Sequence, residues 1–275
     1  MSPTRPAAVA GMFYESNPSR LQQDVQGFLG EATLPAHAVS AVPKAIIVPH
    51  AGYVYSGPVA GSAYATVKAL AGQIKRIVLM GPAHRVYIDG IAASTARAFA
   101  TPLGNVAVDQ DTIRELAEEF GFLRYADEVH TMEHSLEVQL PFLQEIFEDF
   151  VLLPFAVGGA SPDQIEALLD RLWGGAETLI VISSDLSHYR SYEAAREIDG
   201  FTAAQIRQLV AARLTGEHAC GYLPISGLLQ AASKRGLKCE VLDTRSSGDT
   251  AGPRDRVVGY GAFAFYADEH ARDPA

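Results

Sequence analysis

Cysteine is nearly missing from this chain: 275 residues contain two, Cys220 and Cys239. Two thiols cannot build a disulfide framework, so a reducing, cytoplasmic setting is the expectation and each thiol needs its own explanation. Long apolar runs are missing too. No stretch of about 18 apolar residues occurs, which argues against a spanning helix and a membrane role. The opening MSPTRPAAVAGMFY has one Arg and two Pro but no sustained apolar core, so it does not read as a signal peptide. Positive charge is scarce: 22 Lys and Arg stand against 32 Asp and Glu, a formal net charge of −10. Nucleic acid is held chiefly by Lys and Arg on its phosphates, and no basic cluster offsets the deficit, so no nucleic-acid partner is expected. GxGxxG, the P-loop pattern GxxxxGKS/T and the GxSxG elbow are all absent, which argues against dinucleotide, P-loop and serine-hydrolase chemistry.

What remains is a globular composition, 48% apolar and 20% charged, in a chain long enough for one large α/β domain or two small ones. No repeat with a period of about 20–50 residues is present. No low-complexity linker divides the chain, so residues 1–275 read as a single domain. An arm over 1–18 carries Met12, Phe13 and Tyr14 as packing anchors. A helix over 19–29 follows, with Leu21, Val25, Phe28 and Leu29 on one face. The Pro- and Ala-rich link 32–43 contains His37, which reads as a solvated surface residue.

Strands and helices then alternate. The run Ala45-Ile46-Ile47-Val48 is too short for a helix and rich in β-branched residues, hence a buried strand. Pro49 ends it and His50 follows. Gly52 allows a tight turn, Ser56 is placed to cap a helix, and Pro58 to sit in its first turn. Residues 76–80 form a second strand ending in Gly81-Pro82-Ala83-His84. Residues 88–108 read as an antiparallel excursion, and Asp109 or Asp111 starts a helix that runs to Phe120. A third strand spans 151–157. Ser161-Pro162-Asp163 opens the next helix. A fourth strand, 179–182, runs into Ser183-Ser184-Asp185-Leu186-Ser187-His188. Helical segments cover 192–213 with a break near Gly200. Another helix spans 225–234, and two strands, 239–242 and 257–265, close the chain. This order predicts an α/β fold with a central, mostly parallel or mixed sheet flanked by helices.

Ligands of open α/β sheets bind beyond the carboxyl ends of the strands. Three strand ends carry polar residues of metal or acid–base type: His50, His84, and the pair Asp185/His188. A lone histidine is commonly a hydrogen-bonded structural residue, but three strand ends along one sheet edge predict a shared site. Neutral imidazole ligates Fe, Zn or Cu. Cys220 precedes a predicted helix, whose N-terminus would lower the thiol pKa; an inert buried thiol is the other reading. Cys239 lies in an apolar strand and reads as core. His130 and His134 are four apart, which would place both on one helix face, though the arrangement is not HExxH. Glu133 is placed to cap or polarise a neighbour.

Seven stretches, in order and spanning essentially the whole chain, then resemble one family: RPAAVAGMFY (5–14), VPHAGYVYSGPVAGSAY (48–64), LMGPAH (79–84), EHSLEVQLPFLQ (133–144), ISSDLSHY (182–189), ACG (219–221) and VVGYGAFAF (257–265). The chain resembles the Memo family, component B of the AmmeMemoRadiSam system. That family is similar in fold to class III, LigB-type, extradiol dioxygenases, which are non-haem Fe(II) enzymes.

The resemblance implies a metal triad of His50, His84 and Cys220, with Fe(II) favoured and Cu or Zn as further candidates. It implies His188 as general acid/base, with Asp185 and Glu133 in support, Asp185 orienting His188 or a bound water. It also implies AMMECR-type and radical-SAM protein partners. The ring-cleaving relatives use two His and one Glu, and Cys220 departs from that set. The expected function is therefore a metal-binding redox protein acting on a small-molecule or peptide ligand. The alternatives are a peptide- or protein-binding module without catalysis and a true extradiol dioxygenase.

Overall fold

The computed structural model describes residues 3–33 and 42–267. His37 lies outside the described residues. In chain order the elements are β1 (Thr4–Arg5), α1 (Pro18–Glu31), β2 (Ala45–Val48), α2 (Tyr53–Ala65), β3 (Arg76–Pro82), β4 (Ile91–Ala93), β5 (Ala98–Thr101), β6 (Gly104–Ala107), α3 (Gln110–Glu119), β7 (Leu123–Tyr125) and α4 (Asp127–Thr131). They continue with α5 (Leu140–Ile146), β8 (Val151–Val157), α6 (Pro162–Leu172), β9 (Thr178–Ser183), β10 (His188–Arg190), α7 (Tyr192–Arg207), α8 (Tyr222–Lys234), β11 (Lys238–Ser246) and β12 (Val257–Tyr266).

Among the described residues, one sheet runs in the order β10-β12-β2-β9-β3-β8-β4-β7, with β11 also on β12, and a smaller one in the order β1-β5-β6. The strands β2, β9, β3 and β8 are mutually parallel. Antiparallel β12 and β4 flank them. The fold is thus an α/β domain with a mixed sheet. Every residue of β2 and β9 is buried, as expected of strands covered on both faces. The helix α2 packs on β2, β11 and β12, while α8 packs on β3 and β9. The excursion after β3 is antiparallel as read: β4 runs against β8, and β5 and β6 form a hairpin.

Three local expectations need correction. The helix after His50 starts at Tyr53 with Gly52 as its cap residue, so Ser56 and Pro58 lie inside it. Its first turn is fixed instead by the Tyr53 N–H donating to the Phe13 carbonyl at 2.7 Å. The helix α7 runs unbroken through Gly200, capped by the Ser191 side chain; an exposed glycine costs a helix only about 1 kcal/mol. The helix α4 stops at Thr131, so His130 and His134 do not share a helix face. His130 is buried, with Nε2 donating to the Ala92 carbonyl at 3.1 Å, a structural role.

Small residues in α2 let α1 approach closely. A Cβ on Gly61 would stand 2.4 Å from the Phe28 carbonyl oxygen. Gly61→Ala should therefore cost about 1–3 kcal/mol by overpacking. Gly27→Ala, inside α1 with open space around it, should stabilise by about 0.5–1 kcal/mol. Urea denaturation of both variants reads the opposite signs.

Candidate metal centre

The parallel register brings three strand ends together. Val48 lies beside Ser183, and Met80 beside Ile182, so the residues that follow β2, β9 and β3 emerge on one edge. There the His50 N–H donates to Asp185 Oδ1 at 2.7 Å. Cys220 arrives from the turn before α8: its N–H donates to the Asp185 carbonyl at 3.3 Å, and the Gly221 N–H donates to Ser184 Oγ at 2.9 Å. A Cβ on Gly221 would stand 2.8 Å from the Ser184 side chain, so glycine is required for this approach. One ligating atom from each of His50, His84 and Cys220 lies within 4.8 Å of the other two.

Hydrogen bonding fixes which imidazole nitrogens are free. Ser183 Oγ donates its one proton to the Ser135 carbonyl (2.5 Å) and accepts from Gln139 Nε2 (2.8 Å). Its 2.8 Å contact with His50 Nδ1 must then have the ring donating, since a hydroxyl has a single donor. The lone pair of His50 is left on Nε2. His84 is held the same way: Nδ1 donates to Glu133 Oε1 at 2.9 Å, which frees Nε2. Glu133 is buried and also accepts the N–H groups of His84 (2.5 Å), His134 and Ser135 (2.9 Å each). Although burial raises its pKa, the His84 ring and these N–H groups prevail and hold it at about 2. A carboxylate behind a histidine is the usual way a metal ligand is oriented and made more basic.

Charge states argue against an activated thiol nucleophile. Burial, and then the neighbouring histidines His84, His134 and His188, push His50 well below its ordinary value, so it is neutral. Burial and the Asp185 carboxylate push the Cys220 thiol up to about 12. The expected lowering by a helix N-terminus does not hold: Cys220 precedes the cap residue Gly221, and desolvation outweighs the dipole. Cys220 Sγ lies 3.3 Å from His50 Nε2, but a neutral thiol beside a neutral imidazole is not an activated nucleophile. The two are candidate metal ligands, and holding a cation would cost the thiol its proton. Cys239, in β11, is buried and stays a core residue.

A cavity of about 600 Å³ opens over these groups, lined among others by Phe13, His50, His84, His134, Asp185 and His188. His188 Nδ1 donates to the Leu186 carbonyl at 2.9 Å, leaving Nε2 as a base. The expected orientation of the His188 ring by Asp185 is not what is found, because the Leu186 carbonyl takes that role. Asp185 is pushed up by burial, opposed by His188 and the N–H of His50. The His134 ring stacks on His84 (4.8 Å between centroids) and meets Phe13 at 4.7 Å. Burial lowers its pKa to about 4.

Sequence reasoning missed the groups behind the site. Arg5 is buried and donates to the carbonyls of His130 (2.7 Å) and Glu133 (2.6 Å) and to Glu137 Oε2 (2.6 Å). Glu137 also accepts from Ala8 N–H, Val9 N–H and Tyr14 Oη. The N-terminal arm is thereby tied to the loop that carries Glu133 and His134. Ser183 and Gln139 were also missed as the groups that set the His50 tautomer; only the placement of Ser183 at a strand end signalled it.

Two measurements test this geometry. Glu133→Gln should weaken zinc binding about 10–100-fold, read by chelator competition. Because Cys220 must release its proton while His50 is already neutral, zinc affinity should rise about tenfold per pH unit over roughly pH 6–8, and Cys220→Ser should flatten that slope.

The chain is similar to known proteins along most of its length. A family model described as Memo-like protein matches residues 5–264. A MEMO1 family protein of Saccharolobus solfataricus is 35% identical over 94% of this chain and 98% of its own. A MEMO1 family protein of Sulfolobus acidocaldarius is likewise 35% identical, with the same coverage. A crystal structure of an uncharacterized Escherichia coli K12 protein superposes with a TM-score of 0.46 at 13% identity, over 78% of this chain and 98% of that one. The chain belongs to the Memo family.

Proposed function

We propose that this protein is a non-haem iron protein with redox function, its metal held by His50, His84 and Cys220. The observation that supports it is a pair of imidazoles fixed with Nε2 free, converging with a half-buried thiol within 4.8 Å. Two imidazoles and a thiolate suit iron, and also copper or zinc. Bound there, iron would supply electron transfer towards an oxidant or a small organic substrate.

The chain's own groups do the rest. His188 Nε2, with its ring set by the Leu186 carbonyl, accepts or returns a proton at a ligand in the cavity. Asp185 fixes the His50 backbone and places a carboxylate beside that cavity. Glu133 acts through His84 as a positioning residue. Cys220 in the place of a carboxylate favours chemistry other than ring cleavage. A reducing, cytoplasmic compartment fits two free thiols, and no helix among the described residues is long and apolar enough to cross a membrane.

A protein-binding role for the same mouth is a second reading. Met12 (69% exposed) and Tyr87 (82%) are solvent-facing large apolar side chains, each within two residues in sequence of the lining residues Phe13 or Arg85. Exposed apolar side chains this near the lining residues in sequence support a protein partner, and the family resemblance makes AMMECR-type and radical-SAM proteins the proposed ones.

Elemental analysis of anaerobically purified protein tests the metal assignment. Wild type should carry near-stoichiometric iron, and His50→Ala and Cys220→Ser should lose it. Unchanged iron in those variants would sink the ligand assignment. A wild type that neither holds nor takes up metal would leave the binding-module reading in its place.

A further inference from the structure

Two cations stand on a cavity in a chain that is otherwise acidic. Arg85 and Arg256 both line the space above the histidines. Both are exposed, and among the described residues neither has a carboxylate partner; Arg85 directly follows the ligand candidate His84 in sequence. Among the described residues Asp185 is the one carboxylate that lines the cavity, and the His50 N–H already engages it.

The walls are aromatic. Phe13, Tyr55, Tyr189 and Tyr260 line the same space. Tyr189 has φ 59, a conformation that costs a bulky residue strain and is kept where the surroundings demand it. It stands 63% exposed, with the Arg256 guanidinium 4.5 Å from its ring centroid. That contact holds the long Arg256 side chain at the mouth, which lowers the entropy lost when it grips a ligand.

The geometry points to a binding subsite for a small organic anion: Arg85 and Arg256 hold its carboxylate or phosphate at the mouth, and its planar body lies between the aromatic walls, directed at the histidines. It deepens the proposed function by naming a substrate class, and it rests on that reading only for what lies at the cavity floor. Guanidinium groups bind planar oxyanions through paired, charge-assisted hydrogen bonds. A neutral ligand of the same shape would forgo them.

Titration calorimetry with benzoate, phenyl phosphate and neutral benzamide tests this, on metal-free and zinc-loaded protein. Benzoate or phenyl phosphate should bind the metal-free protein, and benzamide about tenfold more weakly. R85Q/R256Q should weaken the anion about tenfold or more while leaving zinc stoichiometry unchanged. Whichever of benzoate and phenyl phosphate binds more tightly identifies the oxyanion. Anion affinity that is unchanged in R85Q/R256Q, equal to that of benzamide, undetectable, or present only with zinc overturns the proposal. Anion binding through the arginines in a protein that never takes up metal would uphold the subsite and remove the metal reading, so the two fail separately.

Discussion

An ionised carboxylate buried at a sheet edge must be surrounded by donors, and Glu133 is the point on which the rest of the site turns. Burial alone would neutralise it. Three backbone N–H groups and the His84 ring keep it charged instead. Two of those donors, the N–H groups of His134 and Ser135, lie just past the end of α4, and a longer α4 would have used them internally. The loop shape, the direction of the His84 ring and the position of His134 are therefore one solution to one electrostatic demand.

That solution is braced from behind by a second buried charge. Glu137 is ionically paired with Arg5, and the arm residues Ala8, Val9 and Tyr14 complete its hydrogen bonds. A buried pair of this kind contributes little net stability, yet each partner alone would be strongly unfavourable. Its effect is positional, because Arg5 also grips the carbonyls on either side of the loop. On the other side, Ser183 and Gln139 do for His50 what Glu133 does for His84. Both imidazoles reach the centre with their orientation already paid for.

The parts of this architecture legible in the sequence were those set by local chemistry. Strands buried on both faces must be short apolar runs, so β2, β3, β8 and β9 could be read directly, and with them the positions of His50, His84 and Asp185 just past strand ends; His188 instead opens β10, a short strand the sequence did not announce. The Ser161 cap was legible too, and a full capping box is present there. What could not be read depends on long-range packing. Spacing placed His130 and His134 on one helix because the demand of Glu133 is invisible in a window of five residues. The following helix left the activated and the inert readings of Cys220 both open, because what decides between them is desolvation and the Asp185 carboxylate, 35 positions away. Gln139 gave no local hint of its part, since its partners Pro49, just past β2, and Ser183, at the end of β9, are distant in sequence.

The strand order carries a consequence for how the protein is made. The first strand of the central sheet, β2, lies between β9 and β12, which leave the ribosome long after it. Pairing over such separations is slow and cannot be completed on a partial chain. His50 and His84 are synthesised well before Cys220 and before β12, the strand that pairs with β2. A nascent chain thus exposes two unpartnered imidazoles and no finished centre. A metal at this centre would therefore be taken up only once Cys220 and β12 are in place, and any supplier would meet the completed cavity and not a growing polypeptide.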